Sequence, residues 1–287
     1  MIDRIAIFGM GLLGTSTGLA LRTAGFKGTI VGWNRSPQGA ETALKMGAID
    51  SIASDALQAA QQSQVVVLAT PIFNILDWME KLAPVLGPED LLTDVGSTKG
   101  EITAKATALY NRPDRAGFLP GHPMAGKERG GADLGDAKLF EGAVWLFTDV
   151  PAWERSSASE ALAKEWREWV LKMGSRTRDL DAARHDEMVA WVSHLPQYLS
   201  TSLSALLQDE IGDAPELKDV GGRALREMTR LGSSPYSMWR DIALTNTKAI
   251  ELSLQKLEQR IAHLRENLRT PGLREEFEIA NRFRKDA

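Results

Sequence analysis

Short apolar runs alternate with longer amphipathic stretches through the first 180 residues. Arg4-Ile5-Ala6-Ile7-Phe8, Thr29-Ile30-Val31-Gly32-Trp33 and Gln64 to Ala69 are apolar at most positions, and Asp90 to Val95 is built around Leu91, Leu92 and Val95. Such runs, closed by glycine, proline or a polar turn, read as strands buried on both faces, as in a parallel sheet. The stretches between them carry helical spacing: the segment through Leu19-Ala20-Leu21, Pro37 to Met46, Asp55 to Gln62, and about Phe73 to Leu82. Ala116 to Leu119, Ala143 to Thr148 and Arg176 to Leu180 read as further strands. The last two bracket an amphipathic helix from about Trp153 to Met173, whose Trp166 and Trp169 read as core. Alternation of this kind predicts an α/β domain built on a parallel sheet.

From Asp181 the strand signal stops and the pattern is helical. Met188 to Leu207 is apolar on most faces, which predicts a buried helix, and Pro196 within it predicts a kink or break. Its polar exceptions are Ser193, His194, Gln197 and Ser200. His194 is either a satisfied core histidine or a site residue beside the proline break. Arg223, Arg226 and Arg230 share one helix face, either as a solvated basic face with Glu227 or as an anion site. Ile250, Leu254, Leu257, Ile261, Leu264 and Leu268 alternate spacings of four and three. That seam packs within the domain or across a dimer. The pattern divides the chain into an α/β domain over 1–180 and an all-α domain over 181–287.

Composition narrows the class. The 287 residues are 43% hydrophobic and 25% charged, as in a water-soluble globular protein. A net charge of -4 gives no basic footprint for nucleic acid. With no cysteine, disulfides, thiolate catalysis and Cys-based metal sites are excluded. The four histidines (His122, His185, His194, His263) lack metal-ligand spacing, so no metal is expected. Apolar runs are too short for a membrane span, and Met1-Ile2-Asp3-Arg4 leads straight into a strand pattern. A cytoplasmic protein with no leader is expected.

The first chemical motif is Gly9-Met10-Gly11-Leu12-Leu13-Gly14. A GxGxxG alone is weak, but this one lies between a strand and a helix, the context of dinucleotide binding. Gly9 makes the turn, Gly11 admits the pyrophosphate, Gly14 lets helix and strand approach, and the helix N-terminus around Leu12 and Leu13 offers free N–H groups. At the end of the second strand, Asn34-Arg35-Ser36 stands where an NAD enzyme usually has an acidic residue. Arg35 could pair with a 2′-phosphate and Ser36 donate to it, so NADP is expected over NAD, with NAD possible. The alternative is an exposed loop arginine.

Ligands of such sheets lie beyond the carboxyl ends of the strands. Three polar groups sit at strand ends: Thr70, which with Pro71 closes the third run above; Ser97, in Gly96-Ser97-Thr98-Lys99-Gly100-Glu101; and His122. Thr98 and Glu101 have capping-box spacing, which could be all that segment does. His122 lies in Gly121-His122-Pro123-Met124-Ala125-Gly126, where Pro123 biases it toward extended backbone. It is either a loop histidine capping a turn or a side chain held at one angle to titrate near neutral pH.

Taken together, these blocks resemble the prephenate/arogenate dehydrogenase family of tyrosine biosynthesis over nearly the whole chain. The resemblance rests on Gly9-x-Gly11-x-x-Gly14, Asp94-Val95-Gly96-Ser97-Thr98-Lys99, Gly121 to Gly126, Ser193-His194-Leu195-Pro196, Met228-Thr229-Arg230 and Trp239-Arg240-Asp241-Ile242. It implies a Rossmann domain, a dimerising helical domain, and an active site between them that oxidatively decarboxylates prephenate or arogenate. It further implies that His122 accepts the substrate hydroxyl's hydrogen bond with Ser97 assisting, that Arg230 binds a carboxylate, and that His194 lies beside the substrate. Where some members continue with a second histidine, this chain has Gln197, also placed by the resemblance at the substrate. That departure leaves open whether a keto acid or an amino acid is preferred. No fused chorismate mutase and no regulatory domain are expected. The rival enzyme class, β-hydroxyacid dehydrogenases, relies on a lysine in the helical domain, whereas this chain offers arginines and a histidine there. A non-catalytic redox sensor would not need a base, a serine and a carboxylate-binding arginine together.

Overall fold

The computed structural model describes residues 1–150 and 152–286. The apolar runs form the middle of one parallel sheet. In chain order its elements are β1 (Arg4–Phe8), α1 (Leu12–Thr23), β2 (Thr29–Trp33), α2 (Pro37–Lys45), β3 (Ser51–Ile52), α3 (Ala56–Gln61), β4 (Val65–Leu68), α4 (Ile72–Leu82), β5 (Leu91–Asp94), α5 (Gly100–Tyr110) and β6 (Gly117–Leu119). The strands lie in the order β3-β2-β1-β4-β5-β6. Every pair is parallel, with Ile7 beside Gly32 on one side and Val67 on the other. Side chains on both faces of the central strands are buried, which explains why β1 and β4 read as unbroken apolar runs. The two faces feed two apolar clusters, one including Ile7, Val67 and Trp166, the other Phe8, Leu68 and Phe118.

A second, three-stranded sheet follows: β7 (Gly121–Pro123), β8 (Val144–Phe147), then α6 (Ser157–Lys172) and β9 (Arg176–Asp179). β7 runs antiparallel to β8, and β8 parallel to β9. Of the two readings of His122, the loop histidine is thereby set aside. His122 is the middle residue of a strand and pairs with Leu146. Three residues are too short a run to announce themselves by alternation, so the pattern showed only the apolar run before them.

The remaining described elements are helical: α7 (Ala182–Val189), a π-helical turn over Ala190–His194, α8 (Leu195–Ile211), α9 (Leu217–Val220), α10 (Arg223–Thr229), a 3₁₀ turn over Arg230–Ser233, α11 (Tyr236–Thr245), α12 (Thr247–Glu266) and α13 (Gly272–Asp286). Pro196 does not break the helix. It stands in the first turn of α8, where a missing N–H costs least, and the wide turn before it takes up the irregularity. α8 is also not buried all round. Within this chain its buried side chains are Gln197 and Ser200, while Leu206 is 56% exposed.

Candidate active site

The glycine motif forms a cradle between β1 and α1. Gly9 has a φ of 101°, open to glycine and strained for other residues. A Cβ on Gly14 would lie 2.0 Å from the Gly9 carbonyl oxygen, whereas one on Gly11 would meet nothing within 4 Å. Gly14 is thus required by packing, and the space over Gly11 is free for a ligand. Gly11 caps α1 with no side-chain hydrogen bond, and the first turn carries no acid. The N–H groups around Leu12 and Leu13 are left for an anion. The buried Thr70 hydroxyl oxygen beside Gly9 has no hydrogen-bond partner among the described residues. These features fit the diphosphate of a dinucleotide.

At the end of β2, Asn34 turns inward. Its Oδ1 accepts from the Met10 N–H at 3.0 Å and its Nδ2 donates to the Ser36 carbonyl at 2.8 Å. The Ser36 hydroxyl donates to Gln38 Oε1 at 2.5 Å. Arg35 is exposed. Asn34 therefore braces the cradle, Ser36 is tied to Gln38 at the start of α2, and the arginine is left to meet a phosphate.

The cradle opens onto a cleft of about 600 Å³ between the two domains, lined by Gly11 to Leu13, Thr70, Pro71, Ser97 and His122 on one side and by Gln197, Arg230 and Trp239 on the other. His122 is 8% exposed. Burial, with the neighbouring His185, Lys99 and His194, holds its pKa well below 6.5, so it is a neutral imidazole at neutral pH. Its Nδ1 lies 2.9 Å from His185 Nε2, and His185 Nδ1 lies 2.8 Å from Asp186 Oδ1.

A buried ion pair sets the floor. Lys99 Nζ donates to Asp94 Oδ2 at 2.5 Å, both side chains being fully buried. Asp94 also accepts from the Gly96 N–H at 2.7 Å and from the Gly121 N–H at 3.2 Å. One carboxylate thereby ties the Ser97 loop to the start of β7. The proposed Thr98–Glu101 capping box does not form. α5 starts at Gly100 with Lys99 as its cap residue and no capping bond from that side chain. Asp186, on α7, takes the Lys99 and Gly100 N–H groups at 2.8 Å each, and Thr98 Oγ1 meets Thr245 Oγ1 instead. A more distant acceptor with two oxygens outcompetes the local one.

Of the three arginines on one helix face, Arg230 alone lines the cleft. Arg223 pairs with Glu227 in solvent. Arg230 pairs across the mouth with Glu128, on the loop after β7. Gln197 is committed: its Nε2 donates to the Leu231 carbonyl at 2.7 Å and to Thr201 Oγ1 at 3.2 Å, and its Oε1 accepts from Ser234 at 3.1 Å. It clamps the turn that carries Arg230. His194 lies behind the cleft wall, buried as a core histidine would be. It is 1% exposed, does not line the cleft, and lies edge-on to Trp239 and 3.4 Å from the Asn246 amide. Burial depresses its pKa to about 4. A π-helical turn displaces side chains from α-helical phase, so spacing could not place it. The sequence motifs assign no role to His185 or Asp186, and the adjacent His-Asp pair near a helix start is their one signal.

A nucleotide cradle facing a neutral histidine, closed by an arginine from a second domain, is the arrangement of a nicotinamide-dependent dehydrogenase. The comparisons agree. Residues 17–172 match the prephenate dehydrogenase nucleotide-binding domain and residues 181–281 the prephenate dehydrogenase dimerization domain. The chain is 31% identical over 266 residues to a prephenate dehydrogenase of Lactococcus lactis, covering 92% of this chain and 70% of that one. It superposes on the prephenate dehydrogenase of A. aeolicus, solved with hydroxyphenyl propionate and NAD+, with a TM-score of 0.83 and 26% identity over 100% and 96% of the chains. Synechocystis arogenate dehydrogenase gives a TM-score of 0.77 with 29% identity over 99% of each. The chain belongs to the prephenate dehydrogenase family and is an NAD(P)-dependent oxidoreductase.

Proposed function

We propose that this enzyme oxidatively decarboxylates prephenate or arogenate, prefers NADP while accepting NAD, and works in the cytoplasm as a homodimer joined through its helical domain, residues 181–287. The observation that carries the reading is His122, buried, neutral, and set between the glycine cradle and Arg230 in one cleft. The bound nicotinamide supplies the hydride acceptor. Hydride leaves the hydroxyl-bearing ring carbon while the bond to the ring carboxylate breaks, and its electron pair completes the aromatic ring as carbon dioxide departs. His122 draws on the hydroxyl proton as hydride leaves and returns it to the phenolic oxygen. Ser97, on the same wall, hydrogen-bonds the hydroxyl and holds it toward the histidine. Arg230 takes the side-chain carboxylate with a planar two-pronged donor, which requires that carboxylate to replace Glu128. Gln197 presents a neutral wall to the side chain, which suits either a keto or an amino group. His194 acts from behind, through Trp239.

The test is the absorbance of reduced cofactor with prephenate and then arogenate. Turnover with one or both is expected. His122→Asn should lower kcat by about a hundred- to ten-thousandfold, the usual worth of a general base. The kcat/KM of the wild type should fall on acidification, and because His122 titrates well below 6.5 that limb should lie at lower pH than a free imidazole's. No turnover with either substrate would sink the reading.

A further inference from the structure

The roles above leave His185 and Asp186 unused, although both touch the machinery. Asp186 is held on both oxygens: Oδ1 accepts the Lys99 N–H and Oδ2 the Gly100 N–H. Its carboxylate is therefore an acceptor fixed at the start of α5, and it cannot turn away from His185. A carboxylate only accepts, so the hydrogen on the 2.8 Å contact belongs to His185 Nδ1. With His185 neutral, its Nε2 then carries a bare lone pair. The 2.9 Å contact to His122 needs one hydrogen, and only His122 Nδ1 can supply it. That leaves His122 Nε2 bare. No protein atom among the described residues hydrogen-bonds this nitrogen, and the ring lines the cleft.

We propose that Asp186 and His185 are positioning residues that fix the tautomer of His122, holding hydrogen on its Nδ1 and keeping Nε2 free to receive the substrate's hydroxyl proton. The relay runs from the helical domain into the nucleotide-binding domain, so the base is correctly set only when α7 is docked on α5. The charged and titratable groups around it are consistent with this direction. Lys99 and His194 flank the relay, Asp94 neutralises Lys99, and burial holds His185 below its ordinary pKa against the pull of Asp186. Without His185 the His122 Nδ1–H would lose its acceptor and the ring could hold its hydrogen on either nitrogen.

The inference rests on His122 being the base, so its test has an arm that needs no substrate. The chain holds four histidines, few enough for ring ¹⁵N shifts to be assigned in the full-length, ¹⁵N-histidine-labelled protein at pH 8, using His263→Gln and His185→Gln. We expect His122 and His185 each to show a protonated Nδ1 and a bare Nε2. In His185→Leu a second His122 tautomer should appear. With whichever substrate turns over, kcat in that variant should fall about tenfold or more, toward the roughly 10⁴-fold loss of a triad histidine in the wrong tautomer, while KM changes little. His185→Gln, which can still accept from His122, should recover part of kcat. A wild-type spectrum with His122 protonated on Nε2 overturns the proposal whatever the enzyme's substrate. So does a His185→Leu enzyme with unchanged kcat and tautomer.

Discussion

Arg35 and Ser36 are exposed in Asn34-Arg35-Ser36, and the side-chain bonds of its neighbours leave Arg35 to act alone. Asn34 spends its amide on Met10 and on the Ser36 carbonyl, and Ser36 donates to Gln38. A 2′-phosphate at the end of β2 would meet one guanidinium and no carboxylate. A hydrogen bond to a charged group is worth about 1.5–3 kcal/mol, which is roughly ten- to hundredfold in affinity. Arg35→Ala should therefore lower kcat/KM with NADP by that factor and leave the value with NAD unchanged, as steady-state kinetics with the two cofactors would show. A wild type that favours NAD contradicts the assignment. Asn34 shows a limit of reading residues singly. Its place in the triplet showed only the lack of a repelling carboxylate, and its structural partner, the Met10 N–H, lies 24 positions away on the cradle itself.

The junction of β7, α7 and the π-helical turn concentrates His122, His185 and His194, all buried. In each, burial is the leading cause of a lowered pKa. The unfolded chain takes up protons at these sites near pH 6.5 and the folded chain does not, so stability is full above that pH and is lost as pH falls. For His194 the loss continues down to about pH 4, and amounts to roughly 3 kcal/mol at the end of that window. Urea unfolding at pH 7.5, 5.5 and 4.5 should show a midpoint that falls steadily, and His194→Gln should flatten part of the slope. A midpoint constant over that range would mean the three rings reach water. The same junction shows which elements were legible. β1, β2 and β4 were, because a strand buried on both faces is apolar at most positions, β5 was through Leu91 and Leu92 although its Thr93 and Asp94 are buried polar residues, and the glycine cradle was, because its requirements lie within six residues. β3 has two residues, both exposed, and β7 three, all buried, and runs so short carry no period. The relay to His122 spans 63 positions and exists only after the domains dock, so no local pattern could announce it. Arg230 was legible as a member of a helix face. Which of three arginines entered the cleft depended on the 3₁₀ turn that Gln197 clamps.

Over the whole molecule the apolar surface is unevenly shared. Most exposed large apolar side chains among the described residues lie beyond residue 190, among them Leu206, Leu244, Ile261, Phe277 and Phe283, at 43% exposure or more. The heptad seam divides: Ile250 is buried and Leu254 packs against the core, whereas Ile261 and Leu268 face outward. α8 is the clearest case, with polar Gln197 and Ser200 turned inward and Leu206 and Ile211 outward. That is the pattern of a helix whose apolar face belongs to an interface, and obligate interfaces resemble a domain core cut in half. Residues 181–281 match a dimerization domain, so a second copy of the chain is the expected cover. Folding and assembly can be separated by substitution. Ile261 and Phe277 are 51% and 62% exposed in the single chain, so Asp at both positions removes little from its own core but would bury charge between copies. Sedimentation at micromolar concentration should give a dimer for the wild type and a monomer for Ile261→Asp/Phe277→Asp, with cofactor binding retained by the monomer because the glycine cradle lies in the other domain. A wild type that sediments as a monomer, or a double variant that stays dimeric, would place these apolar faces outside any interface between copies.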